Sequence, residues 1–281
     1  MSYKKLIPFI NGENELAANV VTMAEDYCFA GADELFLYNY SKITEEREEF
    51  LATLKEIDKK IDIPFIVGMY AARFEDVKKA SKLIRWNGFT LGHQMMVGLP
   101  ESSRADEINT AKALVKLKPK MVRIYPVLVV KNTKLEQEYE NGTYEPLSVV
   151  QAVEICKELV RIFDEKNINV IRVGLQNTEE ISDPKNSKSE VVAGPYHPAF
   201  RQLVESGMWY DAIVSKIKKL NVKAKKVEVT VNPIDINNVI GHKKENVIKL
   251  NELYNVDLIV KQDKNIKQGK SKIEVIQTYE N

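Results

Sequence analysis

Short apolar runs separated by longer amphipathic stretches recur along the chain up to residue 176, and this alternation limits the fold more than any other feature. The runs 6-LIPFI-10, 35-LFLYNY-40, 63-IPFIVGM-69, 91-LGHQMMVGL-99, 121-MVRIYPVLVV-130 and 169-NVIRVGL-175 have the length and β-branched or aromatic content of strands. Between them, 15–30, 44–61, 75–87, 104–118 and 148–166 carry apolar residues at helical spacing, as in Phe50, Leu51, Leu54, Ile57 and Ile61. Thr44, with Arg47 and neighbouring acids, marks a helix start. Strands alternating with helices predict parallel pairing through right-handed crossovers, hence an α/β chain built as a (βα) barrel or an open sheet.

Side-chain parity along three strands sharpens this. Gly92, Gln94, Met96 and Gly98 alternate with His93, Met95 and Val97. Arg123 and Tyr125 alternate with Val122 and Ile124, and Arg172, Gly174 and Gln176 alternate with Ile171, Val173 and Leu175. Successive strand residues point to opposite faces, so each strand has a polar or small face and an aliphatic one. In a barrel the polar set lines an interior able to hold a small-molecule ligand. In an open sheet it is a half-exposed edge.

Composition excludes little but bounds the setting. A formal net charge of +1 exerts no global pull toward nucleic acid or membrane. No apolar run approaches the roughly 20 residues of a bilayer-spanning helix, and the start MSYKKLIPFINGENEL has too short an apolar run for a signal peptide. The only cysteines, Cys28 and Cys156, make neither a disulfide framework nor a metal cluster. A reducing, cytoplasmic setting with no membrane partner and no metal ligands is expected.

After residue 176 the polar segment 177-NTEEISDPKNSKSE-190 reads as a loop, followed by the motif 194-GPYHPAFRQLVES-206 and a helix through Trp209 to Ile217. The lysine-rich stretch 218-KKLNVKAKKVEV-229 then leads into a distinct tail, which places a boundary near 220. His197, in its Pro-flanked loop, is either an acid–base group or a cap on the following helix.

Three resemblances add to this. The phrases 5-KLIPFINGEN-14, 30-AGADELFLYNYS-41 and 63-IPFIVGMYAARFEDVKKA-80 resemble the first strands of the imidazole glycerol phosphate synthase cyclase family, which implies a (βα)-barrel front and a phosphosugar substrate. The family's catalytic aspartate at the end of the first strand is Asn11 here, an amide that cannot act as a general base. Its glycine-rich phosphate turn is replaced by Gly68, Met69, Tyr70 and Ala71, so this third reads as scaffold.

The runs 76-DVKKASKLIRWNGFTLGHQMMVGLPESS-103, 122-VRIYPVLVVKNTKLEQEYENGTYEPLS-148, 170-VIRVGLQ-176 and 192-VAGPYHPAFRQLVES-206 resemble the back half of radical S-adenosylmethionine enzymes of the Elongator catalytic subunit type and their bacterial relatives. In that family the last barrel strands cradle S-adenosylmethionine, which makes Gln94, Met96, Gly98, Arg123 and Tyr125 the candidate cofactor-facing residues. Arg123 suits the methionine carboxylate, since a guanidinium pairs bidentately with such a group. The family's four-iron cluster is held by three cysteines in one loop, and two remote cysteines cannot replace them.

The tail segment 227-VEVTVNPIDINNVIGHKKENVIKLNELYNVDLIVKQD-263 resembles KH RNA-binding domains. Gly241 opens the loop, His242 and Lys243 fill its variable pair, and Lys244 stands where the family has a second glycine. The resemblance implies RNA-phosphate contacts from Gly241, His242, Lys243 and Lys244, with Val247, Leu250 and Leu253 on the apolar face of the following helix.

The sequence therefore predicts an α/β chain. Residues 1–220 form a partial (βα) barrel, TIM-barrel-like with about six parallel strands, cyclase-like over 1–78 and radical-enzyme-like over 79–220. Residues 221–281 form a small KH-like α+β domain. The expected function is that of a radical-S-adenosylmethionine-like, RNA-directed protein, with tRNA among its expected partners. It still binds S-adenosylmethionine and, without the cluster cysteines, does no radical chemistry by itself. No catalytic residue is assigned. A cyclase-like lyase acting on a phosphosugar and a non-catalytic RNA-binding or scaffold protein are the alternatives.

Overall fold

A computed structural model describes residues 6–13, 15–41, 43–69, 74–86, 88–219 and 224–279. The boundary expected near 220, and the turn residues Tyr70 and Ala71, lie outside the described residues. The chain divides into two compact units, Met1–Leu91 and Gly92–Asn281.

The first unit runs β1 (Phe9–Asn11), α1 (Ala17–Phe29), β2 (Leu35–Asn39), α2 (Thr44–Asp58), β3 (Phe65–Met69) and α3 (Phe74–Trp86). The strands pair in parallel in the order β1-β2-β3, with Phe9 opposite Phe36 and Leu37 opposite Val67. Alternation does the sorting. Ile10, Leu35 and Leu37 are buried against Val20, Val21 and Ala24 of α1 and Phe50, Leu51, Leu54 and Ile57 of α2. Each fully buried side chain of this size contributes about 1.5–3 kcal/mol. On the opposite face Phe9, Phe36, Tyr38 and Tyr40 form a chain of ring contacts. Helix α2 starts at Thr44, as expected from the sequence, but no side chain caps it, and its N-cap position is Ile43. The helix stops at Asp58, and Ile61 packs on the core from the turn beyond.

The second unit begins β4 (Gly92–Val97), α4 (Arg104–Lys116), β5 (Met121–Pro126), β6 (Val129–Val130), α5 (Lys134–Glu140), α6 (Val149–Asp164), β7 (Asn169–Val173), β8 (Val191–Ala193) and α7 (Phe200–Lys218). Strands β4, β5 and β7 form a parallel sheet in that order. The run 121–130 is two strands, not one. Its second piece, β6, leaves the sheet after Pro126 and pairs antiparallel with β8. Two helices open on capping boxes, Ser103 with Asp106 for α4 and Ser148 with Gln151 for α6, which satisfy amides that otherwise lack partners. Helices α6 and α7 are joined through Lys157, which is only 6% exposed and pairs with Glu154 at 2.8 Å and Asp211 at 2.9 Å. Arg161 shares the same Asp211 carboxylate.

The unit ends with β9 (Ala224–Val231), a 3-10 turn at Pro233–Asp235, α8 (Ile236–Ile240), α9 (Glu245–Tyr254), β10 (Asp257–Gln262) and β11 (Ser271–Thr278). The sheet order is β10-β9-β11, with β10 parallel and β11 antiparallel to β9. Val227, Val229 and Val231 of β9 are buried with Val239, Leu250 and Val256, and Ile213 and Val214 of α7 belong to the same core. Leu253, expected on the apolar face of α9, is exposed.

The architecture is thus mixed α/β with parallel sheets. Among the described residues the six parallel strands preceding the tail pair in two sets of three. No helix of the described residues is long and apolar enough to cross a membrane.

Candidate functional site

The sheet β4-β5-β7 sets out its side chains in rows. Met95, Val97, Val122, Ile124, Val170 and Val173 are buried on one face. On the other, Gln94 is opposite Arg123, Arg123 is opposite Arg172, and Met96 is opposite Tyr125. The Arg123–Arg172 alignment depends on a register shift after Val122, which leaves Ile171 as an extra residue in β7. Parity alone assigns Ile171 and Leu175 to the aliphatic face. Both are exposed instead, while Val170 and Val173 are buried on either side of the shift.

Arg123 and Arg172 are therefore lateral neighbours on adjacent strands, about 4.8 Å apart in backbone spacing. Both are half-buried, and among the described residues neither has a hydrogen-bonded or ion-paired partner. Two partly desolvated guanidiniums without a carboxylate favour an anionic ligand. No hydrogen bond joins Arg123 to Tyr125, which is 8% exposed. Gln94 is exposed, its amide 3.9 Å from the Met96 sulfur.

Gly98 closes β4 in a turn that only glycine takes easily. Its φ is +85°, and an added Cβ would lie 2.8 Å from Leu147. The Glu107 carboxylate accepts its N–H at 2.8 Å, and its carbonyl accepts the Tyr144 hydroxyl proton at 2.7 Å. Burial pushes the Glu107 carboxyl above the ordinary carboxylate range, against the hydrogen bonds from Gly98 and Ser102. Both polar groups of Gly98 are engaged within the fold, a role visible in no local sequence pattern.

Asn11, at the end of β1, accepts the Glu13 amide through its side-chain oxygen at 2.9 Å and so serves as a turn cap.

In the tail, Gly241 has φ +84° and ψ 161°, and a Cβ there would lie 2.9 Å from the Asn246 amide nitrogen. Lys243 and Lys244 follow with φ of 50° and 64°, both left-handed. For residues with a Cβ this conformation costs roughly 1–2 kcal/mol each. Lys244 thus adopts a backbone shape that glycine accepts freely. Both lysines are exposed, and among the described residues neither has an acidic partner. Asn246, buried just beyond, donates to the carbonyls of Ser206, Asn238 and Val239 and locks the loop to α7 and α8.

The same fold brings the 194–199 loop against this one. The rings of His197 and His242 meet edge to face at 5.4 Å, and Nδ1 of His197 accepts the Ala199 amide at 3.1 Å. That hydrogen bond is the cap-like role open to His197 in the sequence. Its contact with His242 is not foreshadowed by any spacing.

The two thiols do not fit an iron–sulfur cluster. Cys28 lies on α1 with its thiol 3.4 Å from Asp62. Cys156 is buried in α6, its thiol pushed up to about 12 by burial and then by Glu107. A cluster needs several thiolates brought together, and this chain's own residues supply no such set. Among the described residues no group of three or more His, Cys, Asp or Glu side chains is placed to hold a metal ion.

Residues 119–210 match the Radical_SAM C-terminal domain family, a span that includes β5, β7, the 194–199 loop and the start of α7. The tRNA uridine(34) acetyltransferase of Methanocaldococcus jannaschii is 33% identical over 84 residues, 29% of this chain and 16% of that protein. That of Methanocaldococcus infernus is 31% identical over 84 residues, again 29% and 16%. Among solved structures, the archaeal Methanocaldococcus infernus Elp3 with an N-terminal deletion aligns with a TM-score of 0.43 at 15% identity, covering 75% of this chain and 63% of that one. The chain spans about a sixth of the length of these curated relatives, and over residues 119–210 it is similar to the carboxyl-terminal part of radical S-adenosylmethionine proteins.

Proposed function

We propose that this is a radical-S-adenosylmethionine-like protein directed at RNA, with tRNA as the substrate class its relatives' names indicate. The polar face of β4-β5-β7 is its cofactor-binding surface. The observation that carries this is the half-buried Arg123, unpaired among the described residues, within the span that matches the family. Its guanidinium suits the methionine carboxylate, with Gln94, Met96 and Tyr125 along the same face and Gly98 shaping the turn at its end. S-adenosylmethionine bound there supplies a sulfonium group. Radical chemistry needs an electron from a cluster that the chain's own cysteines do not fit, so binding without radical turnover is the proposed behaviour of this chain alone. In this account the parallel strands belong to a partial (βα) barrel over residues 1–220, its cyclase-like front third acts as scaffold joined to a radical-enzyme-like back half, and the protein works in the cytoplasm.

Calorimetric titration with S-adenosylmethionine tests the proposal. Saturable binding that Arg123→Ala weakens about tenfold or more is expected. No heat from a folded sample overturns it.

A second function, RNA binding by the KH-like tail with or without the barrel's cofactor, has its own support in Gly241 and the left-handed Lys243 and Lys244. RNA affinity that falls steeply with salt and is lost in Lys243→Ala/Lys244→Ala is the expected result.

A further inference from the structure

We infer that His197 belongs to the same phosphate-binding edge as the 241–244 loop and leads bound RNA from that loop to the carboxyl ends of β5 and β7. This rests on the proposed RNA binding by the loop. His197 stands between Pro195 and Pro198, and its ring meets that of His242 at 5.4 Å and 86°. The Ala199 amide donates to its Nδ1, which fixes the ring and leaves Nε2 as the donor of the neutral imidazole. Burial, with His242 and Lys243 close by, holds its pKa below the ordinary histidine value, so the ring is neutral at neutral pH.

The charges around it favour an anion. Lys243 and Lys244 are exposed and have no acidic partner among the described residues. Of the carboxylates nearby, Glu245 pairs with Lys249 and Glu205 with Arg201 and Asn238, while Asp183, on the Tyr196 side, accepts the Lys185 amide. A phosphodiester chain is anionic, accepts hydrogen bonds and repeats, so one strand can touch both loops. His197 also lines a small cleft with Pro126, Gly174 and Tyr196 at the carboxyl ends of β5 and β7. Sheets of this kind place their ligands at those ends.

The test is the affinity of the full chain for a mixed-sequence single-stranded oligoribonucleotide of about 16 nucleotides, measured over a range of salt. Lys243→Ala/Lys244→Ala is expected to weaken binding by an order of magnitude or more and to lower the salt slope by about 1.4. His197→Ala is expected to weaken binding about 3- to 10-fold with the slope unchanged, because a neutral donor releases no counterion. His197→Gln, which returns a donor near the Nε2 position, is expected to stay within about twofold of the parent chain. In the unaltered chain the His197 ring nitrogen resonances should shift as RNA is added, a readout independent of how the variants fold.

If the lysine variant loses affinity while His197→Ala does not, and the ring resonances stay still, the inference falls and RNA binding by the tail stands. If His197→Gln is as weak as His197→Ala, the donor role falls. If the unaltered chain shows no salt-dependent affinity for RNA, both fall.

Discussion

Two sets of cations in the second unit differ in what surrounds them. Between α6 and α7, Lys157 is buried but has Glu154 and Asp211, and Arg161 shares Asp211. On the polar face of β4-β5-β7, Arg123 and Arg172 are half-buried, and among the described residues they have no carboxylate at all. A compensated cation ties two helices together. An uncompensated one is held in place by backbone register and remains free to take a ligand. Partial burial without a partner costs desolvation, and an anion from outside relieves that cost.

The largest expected effect that sharpens this contrast is Lys157→Met. It keeps most of the packing volume and removes the charge between Glu154 and Asp211, so it should cost about 2–3 kcal/mol, read as a lower urea midpoint. A loss under about 0.5 kcal/mol would mean that the two sets of cations do not differ as described.

The carboxylates supply a second test, with opposite signs. At Asp211 burial raises the pKa, but hydrogen bonds from Arg161 and Lys157 outweigh it and hold the pKa below the ordinary value. Its stabilisation is present above the ordinary aspartate pKa and is lost as pH falls through the depressed one. At Glu107 burial dominates and raises the pKa. The protonated form is favoured by folding there, so stability declines as pH rises from the ordinary glutamate value through the raised one. Asp211→Asn should therefore flatten the acid limb of a melting-temperature profile, and Glu107→Gln should flatten the limb just above the ordinary carboxylate range. A profile that both variants leave unchanged would remove this electrostatic account.

A smaller effect is expected in the tail loop. Lys244→Gly relieves a left-handed residue and should stabilise the chain by about 0.5–1 kcal/mol, visible as a raised melting temperature. Under the proposed RNA binding it also removes one cation from the loop, so RNA affinity should fall as stability rises. The smallest effect belongs to the strand arginines. Arg123→Ala and Arg172→Ala should change stability by less than about 0.5 kcal/mol while weakening anion binding. A large loss of stability in either would place that residue among the structural cations.

Much of the fold is legible in local pattern. The period-2 runs become strands and the helical spacings become helices to within a few residues, because each periodicity follows from backbone geometry alone. The candidate face of Gln94, Met96, Arg123 and Tyr125 is legible for the same reason in β4 and β5. In β7 the same rule places Arg172 and Val173 correctly but fails at Ile171 and at Val170 before it, because the one extra residue exchanges the two faces there. The split of 121–130 into two strands was also hidden, since β6 is defined by its pairing with β8, far along the chain.

What the sequence by itself determined, then, is the succession of βα units, the two capping boxes at Ser103 and Ser148, and the residue types available on each strand. Those depend on interactions within a few residues. Only the tertiary structure decided that Arg172 aligns with Arg123, that Glu107 and Tyr144 grip Gly98, and that His197 meets His242. Each of these brings distant segments together, and which distant segments meet is settled by packing and loop closure over the whole unit, not by any local repeat.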